Sequence, residues 1–136
     1  MSNDKQSSVD KDFIPYEEAL ALKELGFDEE CLDKYDPRFE KLSSDMQTWT
    51  TEHYPETLMI PAPLYQQAFR WFREKYKYSQ MISKTYGGEY IPYVNGMELN
   101  LDENSEEVEG FKWIYKTYEE AELACLKKLI EIVKNK

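Results

Sequence analysis

The pattern that most constrains this chain is the order of elements predicted over residues 61–134: helix, three strands, helix. Pro63 suits the first turn of the opening helix. Its apolar face then recurs at helical spacing: Tyr65, Ala68, Phe69, Phe72 and Tyr76. The closing helix begins after Thr117, and Glu120 follows at the spacing of a capping box. Its apolar residues are Ala121, Cys125, Leu129 and Ile132, widened by Leu126, Ile130 and Val133.

Three strands are predicted between these helices. Residues 78–86 and 89–94 flank Gly87-Gly88, which marks a hairpin, and Asn95-Gly96 marks a second turn. Pro92 favours an edge strand or a bulge. Residues 102–110 are predicted to form an acidic loop, and residues 111–116 alternate as the third strand. The predicted fold class is therefore α+β, a two-layer module of helix, three-stranded antiparallel sheet and helix preceded by a short helical N-terminal region.

The first half of the chain has weaker signals. Residues 1–12 are predicted to be a disordered tail, and residues 13–136 a single α+β domain with its core over 61–134. A helix is expected over residues 16–25, followed by a short helical turn over Glu29–Tyr35 that stops before Pro37. Residues 38–60 are predicted to be a long connector. Trp49, Tyr54 and Leu58 are expected to contact the module from that connector.

Composition excludes several classes of protein. Hydrophobic residues make up 41% and aromatic residues 15% of the 136 residues, which excludes disorder of the whole chain. No apolar run approaches the roughly 20 residues that span a bilayer, and the start is not a secretory signal. A net charge of -10 argues against direct nucleic-acid binding. Cys31 and Cys125 are too far apart for a disulfide framework, which favours a cytoplasmic protein.

The sequence holds no recognisable catalytic constellation, so no catalytic residue, metal site or cofactor is predicted and the chain is expected not to be an enzyme. His53 is the only histidine and is better explained as a surface residue. The acid pairs Glu29-Glu30 and Glu106-Glu107 lack the spacing of a calcium loop. Cys125 is interpreted as a small core residue of the last helix.

Three segments carry a resemblance to known proteins: Tyr16–Glu30, Pro63–Tyr76 and Tyr118–Val133. Together they resemble small uncharacterised proteins encoded by phages and prophage-like elements of gut bacteria. The resemblance implies no particular activity. It implies an accessory protein, expected in the host cell cytoplasm, that acts on a host component.

The order of elements is also similar to that of the double-stranded RNA-binding domain. That family grips phosphates with lysines at the start of its second helix. The matching turn here reads Glu119-Glu120-Ala121-Glu122, which would repel phosphates. The order of elements therefore carries no inference about RNA binding.

The candidate binding residues lie on and after the first module helix. The predicted row consists of Gln66, Arg70, Arg73 and Lys77, at i, i+4, i+7 and i+11, opposite the Phe69/Phe72 face. The neighbouring aromatic residues are Trp71, Tyr78 and Tyr86. Such residues dominate interface energetics, although an ordinary solvated helix face with aromatics beneath it explains the same pattern.

Two functions follow from these residues. The first is a non-enzymatic, phage-like binding protein that engages a host protein or a small anionic ligand as an anti-defence factor. The alternative is an acidic DNA mimic that inhibits a nucleic-acid-binding host protein through the acids of residues 13–60, such as Asp28, Glu29 and Glu30. Self-association into a homo-oligomer stays open.

Overall fold

The computed structural model describes residues 12–45, 55–95, 97–98 and 114–135. The helices of the described part are α1 Tyr16–Glu24, α2 Tyr65–Tyr76 and α3 Tyr118–Lys134. Its strands are β1 Asp33–Asp36, β2 Lys41–Leu42, β3 Ile60–Ala62, β4 Gln80–Lys84, β5 Tyr90–Val94 and β6 Met97–Glu98. Short 3-10 turns cover Ser43–Asp45 and Glu56–Leu58. The predicted α+β class is confirmed.

The chain divides into two compact units, Met1–Ala68 and Phe69–Lys136. The border lies inside α2, later than residue 61, where the predicted module begins. Among the described residues, no helix is both long and apolar enough to cross a membrane. The predicted tail over residues 1–12 lies outside the described residues except for Asp12. The acidic loop over residues 102–110 and His53 also lie outside them.

Helix α1 in the first unit agrees with its prediction to within one residue. Pro15 precedes it in an extended conformation, and Glu17 and Glu18 occupy the first turn, where acids complement the helix dipole. Its buried residues are Ala19 and Leu22. The chain leaves the helix at Gly26, whose φ of 103° suits a residue without a side chain.

The predicted helical turn over Glu29–Tyr35 is wrong, because Asp33–Asp36 forms strand β1. This strand lies at the centre of an antiparallel sheet of order β2-β1-β3, in which Tyr35 is opposite both Leu42 and Ile60. The Tyr35 hydroxyl also donates to the Ile14 carbonyl at 2.6 Å. Pairing with distant segments has overridden the local helical signal.

The predicted connector over residues 38–60 contains regular structure that the fading periodicity did not indicate. It holds β2, both 3-10 turns and the first residue of β3. Leu58 is 51% exposed, so about half of its side chain is open to solvent. Trp49 and Tyr54 lie outside the described residues.

Helix α2 begins two residues later than Pro63 suggests. The Ala68 N–H donates to the Leu64 carbonyl, so Leu64 precedes the first helical residue. Pro63 instead follows β3, and its carbonyl accepts from the Ile14 N–H at 3.0 Å. The predicted apolar face is buried at Tyr65, Ala68, Phe69 and Phe72.

In the second unit, β4, β5 and β6 form an antiparallel sheet in that order. The predicted β4–β5 hairpin is confirmed: the Gly88 N–H donates to the Thr85 carbonyl, and Gly88 has a φ of 83°. Asn95 adopts a φ of 53° between β5 and β6, as the second turn signal indicated. The third strand of the described sheet is β6. Of the predicted strand over residues 111–116, the described residues 114–116 contribute an isolated bridge between Tyr115 and Tyr90, and residues 111–113 lie outside the described part.

Pro92 lies in the central strand of this sheet, so the prediction of an edge strand is wrong. Thr85 is paired with Glu89 and Asn95 donates to Ser79, so odd-numbered residues of β5 face β4. Pro92 is even-numbered and faces away from β4. The missing N–H of the proline therefore costs no hydrogen bond of the β4–β5 ladder.

Helix α3 packs against β5 and β4. One of the two amide bonds of the predicted capping box is formed: Thr117 Oγ1 accepts from the Glu120 N–H at 3.1 Å. The Glu120 carboxylate accepts from the Thr117 hydroxyl at 2.9 Å. The buried side includes Ala121, Cys125 and Leu129, whereas Ile132 is half-buried.

Candidate recognition surface

The candidate surface is the exposed side of α2 within the second unit. Arg70 and Arg73 are both exposed, one helical turn apart, whereas Phe69 and Phe72 are 1% and 0% exposed. Because a helix has 3.6 residues per turn, residues three or four positions apart lie on the same side. The apolar side chains of α2 recur at this spacing and form its buried side. The predicted separation of a cationic side from an apolar side is thus present in the structure.

Arg70 is partly compensated within the helix. Its Nε lies 3.8 Å from Glu74 Oε1, and the two side chains are 55% and 67% exposed. An exposed ion pair one turn apart contributes little, typically about 0–1 kcal/mol. This ion pair therefore contributes little to the stability of α2.

Lys77 does not continue the helical row as the spacing predicted. Helix α2 ends at Tyr76, and Lys77 adopts a left-handed φ of 64°. Its Nζ donates to the Glu74 carbonyl at 3.1 Å, which satisfies a backbone acceptor at the helix end. Lys77 is exposed, but its ammonium lies at the end of the helix rather than in line with Arg70 and Arg73.

Trp71 is not a surface aromatic, which corrects its predicted role in stacking on a ligand. It is 6% exposed and packs edge-to-face against Phe72 and Tyr76, with ring centroids 5.1 Å and 5.4 Å away. The buried face of α2 is wider than the row of apolar residues that helical spacing predicts, and Trp71 lies within it. Trp71 therefore belongs to the packing of the second unit.

Lys75 is an exposed cation of α2 that is absent from the predicted candidate set, and it lies on a different side of the helix from Arg70 and Arg73. Its Nζ lies 5.0 Å from the centroid of the Trp71 ring and 5.6 Å from that of Tyr76. An ammonium at this distance is attracted by the ring quadrupole. The available signal was the i, i+4 spacing of Trp71 and Lys75, which brings a lysine over an aromatic ring.

The remaining two candidates lie after the helix. Tyr78 is half-buried, and its N–H contacts the Phe72 carbonyl at 3.4 Å. Tyr86 is fully exposed at the turn that joins β4 to β5. The structure thus places Arg70 and Arg73 on α2, Lys77 and Tyr78 just after it, and Tyr86 on a separate hairpin.

The acids of the first unit are used in different ways. Asp36 is buried, and both of its oxygens accept from the Arg38 guanidinium, at 3.1 Å and 2.7 Å. These hydrogen bonds lower the pKa of Asp36. Asp33 is also buried and accepts from the Ser43 and Ser44 hydroxyls. These two carboxylates therefore stabilise the fold around β1 and do not contribute to an acidic outer surface.

The acids named for DNA mimicry are partly exposed. Asp28 and Glu30 are exposed, whereas Glu29 is half-buried and accepts from Gln67 Nε2 at 3.2 Å. Gln67 also donates to the Glu30 carbonyl at 2.8 Å. The segment therefore presents two exposed carboxylates on a fixed loop.

A shallow pocket of about 310 Å³ lies along α3 in the second unit. It is lined by Tyr115, Glu120, Leu123, Ala124, Lys127, Lys128 and Glu131. Lys128 and Glu131 form an ion pair at 3.4 Å. Charges of both signs surround the pocket, so it has no clear preference for an anion or a cation.

The two thiols are poor nucleophiles. Burial raises the pKa of Cys31 to about 11, with the neighbouring Glu29 as a further cause. Burial, together with Glu122, raises the pKa of Cys125 to about 12. Cys125 is fully buried, which confirms its interpretation as a core residue. Within the described ranges, no three His, Cys, Asp or Glu side chains are grouped as a metal site.

Comparison with known proteins identifies no relative: no family model, curated protein or solved structure matches the chain.

Proposed function

We propose that this chain is a non-enzymatic binding protein that engages an acidic host protein or a small anionic ligand through the cationic side of α2. Arg70 and Arg73 form the centre of this surface, and Lys77 lies at its end. The observation that carries the proposal is that both arginines are exposed while Phe69 and Phe72 behind them are buried. The arginines are thus presented on a helix that the core fixes in place.

Arginine supports this role better than lysine because its planar guanidinium forms two parallel hydrogen bonds with a carboxylate or phosphate. The chain as a whole has a net charge of -10. A general attraction to polyanions is therefore opposed by the overall field, and recognition has to be local and at close range. A discrete acidic patch or a small anion fits this condition.

The resemblance of three segments to phage and prophage proteins supports a host component as the partner. A small accessory protein without catalytic groups acts by occupying its target, so blocking a defence pathway is the corresponding role. Tyr78 and Tyr86 supply further contact area in this proposal. Tyr86 is fully exposed and carries both an apolar ring and a hydroxyl, which suits an interface residue.

The proposal is tested by capture from a bacterial host lysate, with bound small molecules analysed in parallel by mass spectrometry. The test variant is Arg70→Glu with Arg73→Glu, which should abolish capture and leave the melting temperature nearly unchanged. The matched control is Lys127→Glu with Lys134→Glu, which makes the same change in net charge at exposed positions of α3. Loss of capture in both variants, or in neither, would contradict the proposal.

DNA mimicry is the alternative that the same experiment separates. Asp28 and Glu30 are the exposed acids of the loop before β1, so Asp28→Lys with Glu30→Lys is the corresponding variant. Mimicry predicts that this variant loses a nucleic-acid-binding partner while the arginine variant retains it. The proposed function predicts the opposite. Raising the salt concentration should weaken either complex, so salt dependence serves to show that capture is electrostatic.

A further inference from the structure

The outer edge of β4 has backbone groups that no other described strand pairs with. Thr85 is paired with Glu89 and Ser79 with Asn95, so the odd-numbered residues of this strand bond to β5. Alternation along an antiparallel strand turns the N–H and C=O groups of Gln80, Ile82 and Lys84 to the other side. Within the described residues, no strand pairs with that side of β4.

The sequence around this edge is close to a palindrome. Residues 78–86 read Tyr-Ser-Gln-Met-Ile-Ser-Lys-Thr-Tyr, centred on Ile82. If two copies of β4 pair antiparallel about a twofold axis at Ile82, three of the five pairs are of similar character, and the others are Gln80 with Lys84 and Met81 with Ser83. Ile82 is opposite itself, Ser79 is opposite Thr85, and Tyr78 is level with Tyr86.

The same register avoids like charges. Gln80 of one copy is opposite Lys84 of the other, twice per pair of chains. A twofold axis at Lys84 would instead place this lysine opposite itself, which destabilises strand pairing.

Exposed side chains lie along the same strand. Met81 is 52% exposed, and Tyr86 at the hairpin tip is fully exposed. Natural edge strands are usually protected against pairing by charges within the strand, prolines or bulges. Here the central residues Gln80–Ser83 carry no charge and no proline.

From this we infer that β4 is an isologous interface, through which two copies of the chain join their β4-β5-β6 sheets into one six-stranded sheet. This inference goes beyond the proposed function and does not depend on it. Isologous pairing about a twofold axis is the commonest route to a homodimer. The contact is short, so the dimer is expected to be weak and to form as concentration rises into the micromolar range.

Sedimentation equilibrium over a concentration series tests the inference with three variants at the proposed contact. The parent should rise from 16.2 kDa toward twice that mass. Gln80→Lys places an ammonium opposite Lys84 of the second copy and should weaken the dimer by about tenfold. Gln80→Glu should strengthen it, and adding Lys84→Gln to Gln80→Lys should restore the parental affinity.

Gln66→Lys is the matched control, because it makes the same chemical change at an exposed residue of α2. It should leave the dimer unaffected. Circular dichroism melting checks that each variant is folded. Misfolding would also not give opposite effects for Gln80→Lys and Gln80→Glu. A parent that stays monomeric throughout the series overturns the inference. So does a dimer that responds equally to Gln80→Lys and Gln66→Lys, or that the double variant does not rescue.

Discussion

The ammonium of Lys75 lies 5.0 Å from the centroid of the Trp71 indole ring, and the ring itself is buried. The lysine thus covers an aromatic side chain that belongs to the core of the second unit. The sequence predicts that Trp71 stacks on a ligand at the surface, whereas the structure places Trp71 in the core and Lys75 at the surface. A buried ring contributes to stability, whereas the cation above it is available at the surface.

Trp71→Ala is therefore expected to lower the free energy of unfolding by about 3–5 kcal/mol, because it removes a large buried side chain and leaves a cavity. Tyr86→Ala is the control: Tyr86 is fully exposed, so its removal should change stability by less than about 0.5 kcal/mol. Urea denaturation followed by circular dichroism measures both. Equal stabilities of the two variants would contradict the placement of Trp71 in the core.

The N-terminal cap of α3 gives a second prediction. Thr117 Oγ1 accepts from the Glu120 N–H, which would otherwise lack a partner at the helix start. Thr117→Ala removes this acceptor and should cost about 1 kcal/mol of unfolding free energy. Thr117→Ser keeps the hydroxyl and should stay close to the parent. If serine and alanine destabilise equally, the loss comes from the methyl group and the cap does not contribute.

The adjacent glycines of the β4–β5 turn are expected to differ. Gly88 has a φ of 83° with open space around its missing side chain, so Gly88→Ala costs conformational energy without a clash. A left-handed conformation costs an L-residue about 1–2 kcal/mol. At Gly87 an added Cβ would meet Glu89 and Thr85 side-chain atoms at ordinary distances of 3.6 and 3.7 Å. Gly87→Ala should thus be nearly neutral, and thermal melting of both variants checks the difference.

The second unit was largely predictable because its signals are local. Gly88 and Asn95 adopt the left-handed conformations that their turns require, and Thr117 caps a helix within three residues. In the first unit, β1 pairs with strands of two and three residues. Segments that short have no periodicity to recognise, and the partner Ile60 lies far from Tyr35 along the chain. Long-range pairing of this kind cannot be derived from a local pattern.

The candidate surface was predictable to a similar extent. Helical spacing correctly separated Arg70 and Arg73 from Phe69 and Phe72. It failed at Lys77 because the end of α2 is fixed by a left-handed residue, and no glycine marks that position. Spacing also cannot give the width of a buried face, which is why Trp71 was assigned to the surface. The first error concerns the residue at which α2 ends, and the second concerns the width of its buried face.

The buried thiol of Cys125 predicts how stability changes at alkaline pH. Burial and the neighbouring Glu122 raise the pKa of this thiol to about 12, from the 9.0 of an exposed thiol. The folded chain therefore keeps a proton that the unfolded chain releases above about pH 9. The unfolded state then binds fewer protons than the folded state. The free energy of unfolding therefore decreases as pH rises from 9.0, the thiol pKa in the unfolded chain, toward about 12, its pKa in the folded chain.

Cys125→Ala removes this titration along with the side chain. The parent should be more stable than the variant at neutral pH, because the thiol fills space in the core and donates to the Tyr93 carbonyl at 3.5 Å. That difference should narrow as urea denaturation is repeated from neutral pH to about pH 10.5. Leu129→Ala is the control, since Leu129 is equally buried and does not titrate, so its difference from the parent should stay constant. A Cys125→Ala difference that is also constant over this range would show that the thiol is not held protonated by the fold.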